Sequence, residues 1–309
     1  MKRTKRVLGL ALAAVMCMGL LAGCGGTPSN SDTADETSGT ETSEKVLNIA
    51  TIGETTTLSP LYMIADNRPT QKLLYEGLVK YVDGEIQPVL AEDWELSEDG
   101  TQLTFYLRQG VTFHDGEPFN AEAAIANIES WHINPSFASL PGVVNYTNIE
   151  AVDEYTIRLT YDTPYFAYIN DFCWPDVCTM ISPKLITQGD FQTVNGYAGT
   201  GPYIYDEYVA GQYTTFVRNE NYWGEQPYYD KIVAKYIPDN ASRVQALQTG
   251  EIDLIYGSAE LSYEDYNQAT AIEGIEGKFA PSGSTIRNII LNFNGNLADL
   301  SVRQALAYA

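Results

Sequence analysis

Histidine is almost missing from this chain: His114 and His132 are its only two, and they do not form the i, i+4 pair by which a helix presents metal ligands. Cysteine is nearly as scarce, at four. Cys173 and Cys178 stand five residues apart, outside the usual zinc-ligand spacings, which excludes a zinc finger or ribbon. A disulfide across so short a loop is geometrically allowed, and two buried free thiols are the plainer expectation. Basic residues number 18 against 40 acidic ones. Such a surface repels a phosphate backbone, so nucleic acid is excluded as a partner, and charge-driven adhesion to anionic lipid is disfavoured for the same reason. There is no G-x-S-x-G elbow, no G-x-x-x-x-G-K-[ST] loop and no G-x-G-x-x-G run, so the common nucleophile and phosphate-cradling motifs are lacking. Forty carboxylates guarantee that some lie near one another, and an extracellular hydrolase built on a carboxylate pair stays open as a rival class. No repeat of fixed period is present, which argues against a solenoid or propeller.

Long apolar runs are scarce as well. The uncharged stretch 7–21 is too short to span a bilayer comfortably. It follows Lys2, Arg3, Lys5 and Arg6 and ends in Leu21-Ala22-Gly23-Cys24, so residues 1–23 read as an export signal. The pattern resembles a bacterial lipobox, which implies that Cys24 carries lipid through a thioether. Each buried CH₂ of its acyl chains would contribute roughly 0.8 kcal/mol of membrane affinity. Residues 24–44 hold no large apolar side chain beyond that cysteine and cannot offset the entropy of ordering. They read as a flexible leash with a root-mean-square reach of roughly 25 Å. Loss of the four basic residues of the leader would deepen the formal charge of −22 further.

The remainder is longer than one small core usually holds, so two lobes, or one lobe and part of another, are expected. Residues 46–50 read as a strand, and Leu73, Leu74, Gly77 and Leu78 at helical spacing predict a helix over 69–81. Residues 92–96 and 102–107 alternate around Ser97-Glu98-Asp99-Gly100, the pattern of a hairpin with an Asp-Gly turn. Asn120 is placed to cap a helix over 121–131 that stops at Asn134-Pro135. Strands follow at 149–153, 156–161, 214–218 and 231–237, then a helix over 241–248 and a buried strand over 252–256. Short hairpins interspersed with helices, in place of regular βαβ units, indicate an α+β or mixed α/β fold. Trp94, Phe105, Phe113 and Trp223 are read as core residues. His114, beside the Asp115-Gly116 turn, is read as hydrogen-bonded structure, and Arg218 and Asp253 as pairing or capping within the lobe.

Several runs, in order, resemble the extracellular solute-binding proteins of the dipeptide, oligopeptide and nickel ABC importers. They are Leu74-Tyr75-Glu76-Gly77-Leu78-Val79, Leu90-Ala91-Glu92-Asp93-Trp94, and Leu107-Arg108-Gln109-Gly110-Val111-Thr112-Phe113-His114-Asp115-Gly116-Glu117-Pro118-Phe119-Asn120. Gly199-Thr200-Gly201-Pro202-Tyr203, Arg218-Asn219-Glu220-Asn221-Tyr222-Trp223-Gly224 and Gly250-Glu251-Ile252-Asp253-Leu254 complete the set. The resemblance implies a periplasmic-binding-protein-like fold of two lobes closing on a solute. Residues 45–280 would form the first lobe, with an inserted subdomain over about 88–186. Residues 281–309 would begin a second lobe with a strand near 285–292 and a helix over 302–309, truncated in mid-helix. That strand would lack part of its core, and poor solubility is expected. The implied partner is an ABC permease in the membrane; a monomer and no cofactor are expected.

The sequence gives mixed signs on the ligand. The run 218–227 looks particularly like the nickel-binding branch, which grips a chelated metal with arginines, yet residues 174–179 and the helix end at Trp131 and His132 contain none. A peptide amino terminus or an oligosaccharide would suit acidic and aromatic residues instead. Candidate ligand-binding residues are Tyr62, Met63, Arg68, His132, Trp174, Asp176, Tyr203 and Tyr256. No catalytic residue and no resident metal site are assigned. A structural or adhesive surface lipoprotein is the third class.

Overall fold

A computed structural model describes residues 44–62, 68–174, 177–186, 196–256 and 261–278. The leader, Cys24, the leash up to residue 43, Met63, Asp176 and the expected elements at 285–292 and 302–309 lie outside the described residues. The fold is mixed α/β. In chain order it runs β1 (Val46–Thr51), α1 (Arg68–Leu74), β2 (Val79–Val82), β3 (Glu85–Pro88), β4 (Ala91–Leu96), β5 (Gln102–Leu107), α2 (Ala121–His132), α3 (Pro141–Val144) and β6 (Tyr146–Asp153). It continues with β7 (Thr156–Tyr161), α4 (Tyr168–Phe172), β8 (Tyr203–Val209), β9 (Tyr213–Arg218), β10 (Lys231–Tyr236), α5 (Asn240–Gln248), β11 (Leu254–Ile255) and α6 (Tyr263–Thr270). Among the described residues no helix is long and apolar enough to cross a membrane.

Two sheets carry the architecture. The first is five-stranded, in the order β11-β1-β10-β9-β8, with β1 parallel to both β10 and β11 and the rest antiparallel. Ile232 and Ala234 alternate inward along β10, and with Ile49, Phe216 and Tyr203 they meet Leu74 and Tyr75 in one core. The second sheet, β4-β5-β7-β6, is antiparallel throughout. On β7 the pattern is strict: Ile157, Leu159 and Tyr161 are buried while Arg158 and Thr160 face outward. Its core takes Phe105, Phe113, Phe119 and, from α2, Ala124, Ile128 and Trp131.

Local chemistry sets the ends of these elements. The β4–β5 turn closes with Ser97 N–H donating to the Gln102 carbonyl at 2.9 Å, and Gly100 sits at φ 69°. Asp99 Oδ1 accepts from the Ser97 and Thr101 hydroxyls, both at 2.7 Å. Asn120 caps α2, its Oδ1 accepting from Ala123 N at 3.0 Å. Asp239 caps α5 in the same way through Ser242 N at 2.8 Å.

The helix expected over 69–81 is shorter than the apolar spacing implies. It stops at Leu74, because Gly201 N–H donates to the Leu74 carbonyl at 2.9 Å and Gly77 pairs with Thr179 in a β-bridge. A Cβ at Gly77 would lie 2.7 Å from the Cys178 carbonyl, so only glycine allows the two backbones to meet. From Val79 the chain forms the β2–β3 hairpin instead, turning at Asp83 (φ 52°) and Gly84 (φ 91°). The strand expected over 252–256 also contracts, to Leu254–Ile255: Ile252 is buried, but Leu254 is 40% exposed.

Candidate functional site

Parallel strands β1, β10 and β11 end together, with Thr51 opposite Tyr236 and Ala50 opposite Ile255. In open α/β sheets, ligands sit in the crevice beyond such carboxyl ends. The loop leaving β1 is held from several sides. Glu54 accepts from the Tyr208 hydroxyl at 2.5 Å and from Gly211 N at 2.6 Å, bonds that hold its carboxyl below the ordinary range. Gln71 Nε2 donates to the Ser59 carbonyl at 2.9 Å, and Asn134 Nδ2 donates to the Leu61 carbonyl at 3.0 Å. A cavity of about 30 Å³ lies beside this loop, lined by Thr55, Thr56, Leu58, Tyr197, Tyr205, Tyr208 and Thr214. It has room for water and not for a solute.

The Asn134 bond matters for the candidate residues, because it ties the backbone beside Tyr62 to the end of α2, where His132 is. The exposed His132 ring packs on Tyr146 with centroids 4.5 Å apart. Trp174, 44% exposed, follows α4 and precedes Val177 and Cys178, which share a core with Leu61, Trp131 and Phe137. Tyr62, His132 and Trp174 therefore flank one core. Two other candidates lie apart from it. Tyr203, at 5% exposure, is packed in the core of the five-stranded sheet and donates to the Tyr229 carbonyl at 3.2 Å. Tyr256, 49% exposed, follows β11. Arg68 begins α1; Met63 and Asp176 are outside the described residues.

His114 is built into the scaffold. Its Nε2–H donates to the Gly201 carbonyl at 2.9 Å, its Nδ1 accepts from Gly199 N at 3.3 Å, and burial pushes its pKa down, so it is held neutral. Arg218 pairs with Asp230 at 2.5 Å, and Asp253 accepts from Asn48 N at 2.7 Å. Cys173 and Cys178 are free buried thiols; burial pushes Cys173 up to about 11 and Cys178 higher still. Among the described residues no group of three or more His, Cys, Asp or Glu could hold a metal ion.

Sequence reasoning missed one cluster, centred on Glu76. Its Oε2 accepts from Thr200 Oγ1 at 2.9 Å and Trp223 Nε1 at 2.8 Å, and its Oε1 accepts from the Tyr222 hydroxyl at 2.7 Å. Burial raises its pKa, with the three hydrogen bonds opposing. Arg108 lies over the Trp223 ring, 4.5 Å from its centroid, and pairs with Glu92 at 3.1 Å. The available signal was that Glu76, Thr200 and Tyr222-Trp223 belong to three of the runs that carry the family resemblance.

The nickel-binding periplasmic protein of Escherichia coli (strain K12) is 35% identical over 264 residues, covering 82% of this chain and 49% of that protein. NikA from Brucella suis, crystallised with Fe(III)-EDTA, matches with a TM-score of 0.68 at 34% identity, over 73% of this chain and 46% of that one. DppA from Helicobacter pylori, in complex with the peptide STSA, matches with a TM-score of 0.63 at 26% identity, over 74% of this chain and 49% of that one. Both structures are two-lobed periplasmic binding proteins. The chain spans about half the length of the curated relatives it matches. Residues 85–309 match the family described as bacterial extracellular solute-binding proteins, family 5 Middle, and the chain belongs to that family.

Proposed function

We propose that this chain is the solute-capturing component of an ABC importer, with residues 45–280 as its first lobe and 281–309 as the start of a second. A small solute enters between open lobes, the lobes close, and the closed form delivers it to a membrane permease. Closure is driven by the ligand's greater affinity for the closed form. Lipid on Cys24 tethers the monomeric head outside the cytoplasm, and the protein transports without transforming its ligand. The family match over residues 85–309 carries this reading.

A di- or oligopeptide is the ligand class we favour over an anionic chelate. The relatives' ligands include both kinds, a peptide for DppA and Fe(III)-EDTA for NikA. Four arginines, however, are already engaged: Arg108 with Glu92, Arg158 with Glu150, Arg218 with Asp230, and Arg243 with the Ile237 carbonyl. A nickel chelate, which needs cations against its carboxylates, would depend on Arg68 and on residues outside those described. Tyr62, His132 and Trp174 supply stacking faces and polar tips suited to peptide groups.

Thermal denaturation of the full-length protein with di- and tripeptides, nickel with histidine, and oligosaccharides tests the reading. A saturable rise in melting temperature with one class is expected by mass action. Absence of any rise from folded, ligand-free protein, or sustained turnover of a peptide or sugar, overturns it.

A further inference from the structure

We propose that Glu76 is a proton-operated latch between the two sheets of this lobe. Its position makes it one. Tyr75, the residue before it, is packed in the core of the five-stranded sheet, and Leu78, two residues after it, in the core of the four-stranded sheet. The carboxylate between them gathers three separate segments: the end of α1, the approach to β8 through Thr200, and the loop after β9 through Tyr222 and Trp223. Trp223 then passes the connection across, since its ring is covered by Arg108, whose Nε donates to the Val89 carbonyl at 3.0 Å. The backbone of the same stretch holds a fourth segment: the Glu76 carbonyl accepts from Met180 N at 2.8 Å, and Gly77 bridges Thr179.

The donors arranged around Glu76 decide where a proton can go. Trp223 Nε1 can only donate, so Oε2, which it shares with Thr200, is committed to accepting. Oε1 faces a tyrosine hydroxyl, which can turn from donor to acceptor. A proton taken from water therefore lodges on Oε1 and is received by Tyr222, while the Thr200 and Trp223 bonds to Oε2 persist. The network survives protonation and sheds a buried negative charge. Other charged or titratable groups facing the cluster are few: Lys80 on β2 acts on Glu76 weakly, Arg108 is separated from it by the Trp223 ring, and neutral His114 approaches only the backbone at Gly199 and Gly201. Among the described residues none forms an ion pair with Glu76.

A buried carboxyl whose folded-state pKa is raised binds its proton more tightly folded than unfolded. Its contribution to stability is fully present below the unfolded value and is lost as pH rises through the folded value. The latch thus tightens in mildly acidic medium, opposite to a salt-bridged carboxylate.

Urea unfolding of the full-length protein, its E76Q variant and its Y222F variant, followed by circular dichroism from about pH 4 to about pH 8, tests this. Wild type should gain in midpoint on E76Q as pH falls, with the inflection above the ordinary glutamate range. Removing the Tyr222 donor, which holds the carboxylate down, should move that inflection to higher pH in Y222F. The tryptophan emission that W223F abolishes should show the same inflection in wild type and none in E76Q. Parallel midpoint profiles for wild type and E76Q would reduce Glu76 to a fixed hydrogen-bonding residue and overturn the proposal. Should E76Q fail to fold, an inflection that Y222F leaves unmoved, or a Trp223 emission flat across the range, overturns it equally.

Discussion

Replacing Gly199 with alanine asks whether the junction between α1 and the approach to β8 is as tight as the structure indicates. The added Cβ would lie 2.0 Å from the Leu74 carbonyl oxygen, 2.5 Å from Tyr75 Cδ1 and 2.9 Å from the Leu74 carbonyl carbon. Two of these atoms are backbone and cannot swing away, so the segments must part by more than about 1 Å to restore the usual C···O separation of about 3.3–3.6 Å. Overpacking of this kind costs about 1–3 kcal/mol. The same displacement stretches the bonds from Gly201 N to the Leu74 carbonyl and from Thr200 to Glu76, both 2.9 Å, each contributing about 1 kcal/mol. A total loss of about 3–5 kcal/mol is expected, a large part of a typical domain's 5–15 kcal/mol. Gly84→Ala is the control. Gly84 has nothing within 4 Å of its would-be Cβ and only a φ of 91° to strain it, so about 1–2 kcal/mol is expected. Urea denaturation of both variants should show lowered midpoints with unchanged slope. A Gly199→Ala cost no larger than that of Gly84→Ala would refute the argument.

Further outcomes follow from other contacts. Asn127, fully buried on α2, donates Nδ2 to the Ala123 and Ile181 carbonyls and accepts from Ile181 N, all at 2.9 Å. Asn127→Ala should therefore cost about 2–3 kcal/mol in urea unfolding by leaving the Ile181 amide unpaired. Asn120→Ala, which removes the cap of α2, should cost about 1 kcal/mol by the same measurement. Trp174→Ala should leave stability within about 0.5 kcal/mol, yet reduce the ligand-induced rise in melting temperature. Cys173 and Cys178 should resist iodoacetamide in the native protein at pH 7, since burial holds both thiols protonated, and react fully in denaturant; mass spectrometry of the intact chain reads both states.

The parts of the fold visible in the sequence are those that local chemistry decides. The β4–β5 hairpin carries its own alternation and an Asp-Gly turn, and α2 carries its own cap at Asn120, so both stand within a residue or two of expectation. The end of α1 was not visible, because Leu73, Leu74 and Leu78 satisfy helical spacing and the break comes from Gly201 and Thr179, both far along the chain. Glu76 was hidden for the same reason: its partners lie 124, 146 and 147 residues away. In the sequence it is one more acidic residue in a strongly acidic chain. Tyr62 and His132 could be named as types, but their approach to a common end of α2 depends on long-range contacts, the bond from Asn134 to Leu61 and the packing of Leu61 against Trp131 and Phe137. Tyr203 could not be told from a cleft tyrosine, since its position in the core is set by the pairing of β8 with β9.

The parallel pairing of β1 with β10 has a consequence for how the polypeptide assembles. The four-stranded sheet draws all its strands from residues 91–161, with tight hairpins joining β4 to β5 and β6 to β7. Val46, by contrast, must wait for Lys231, some 185 positions later in synthesis. Contacts of such sequence separation form slowly, because loop closure precedes any reward. The amino-terminal strand is thus among the first made and the last seated, and until β10 arrives its edge lies open to whatever factor escorts the nascent chain.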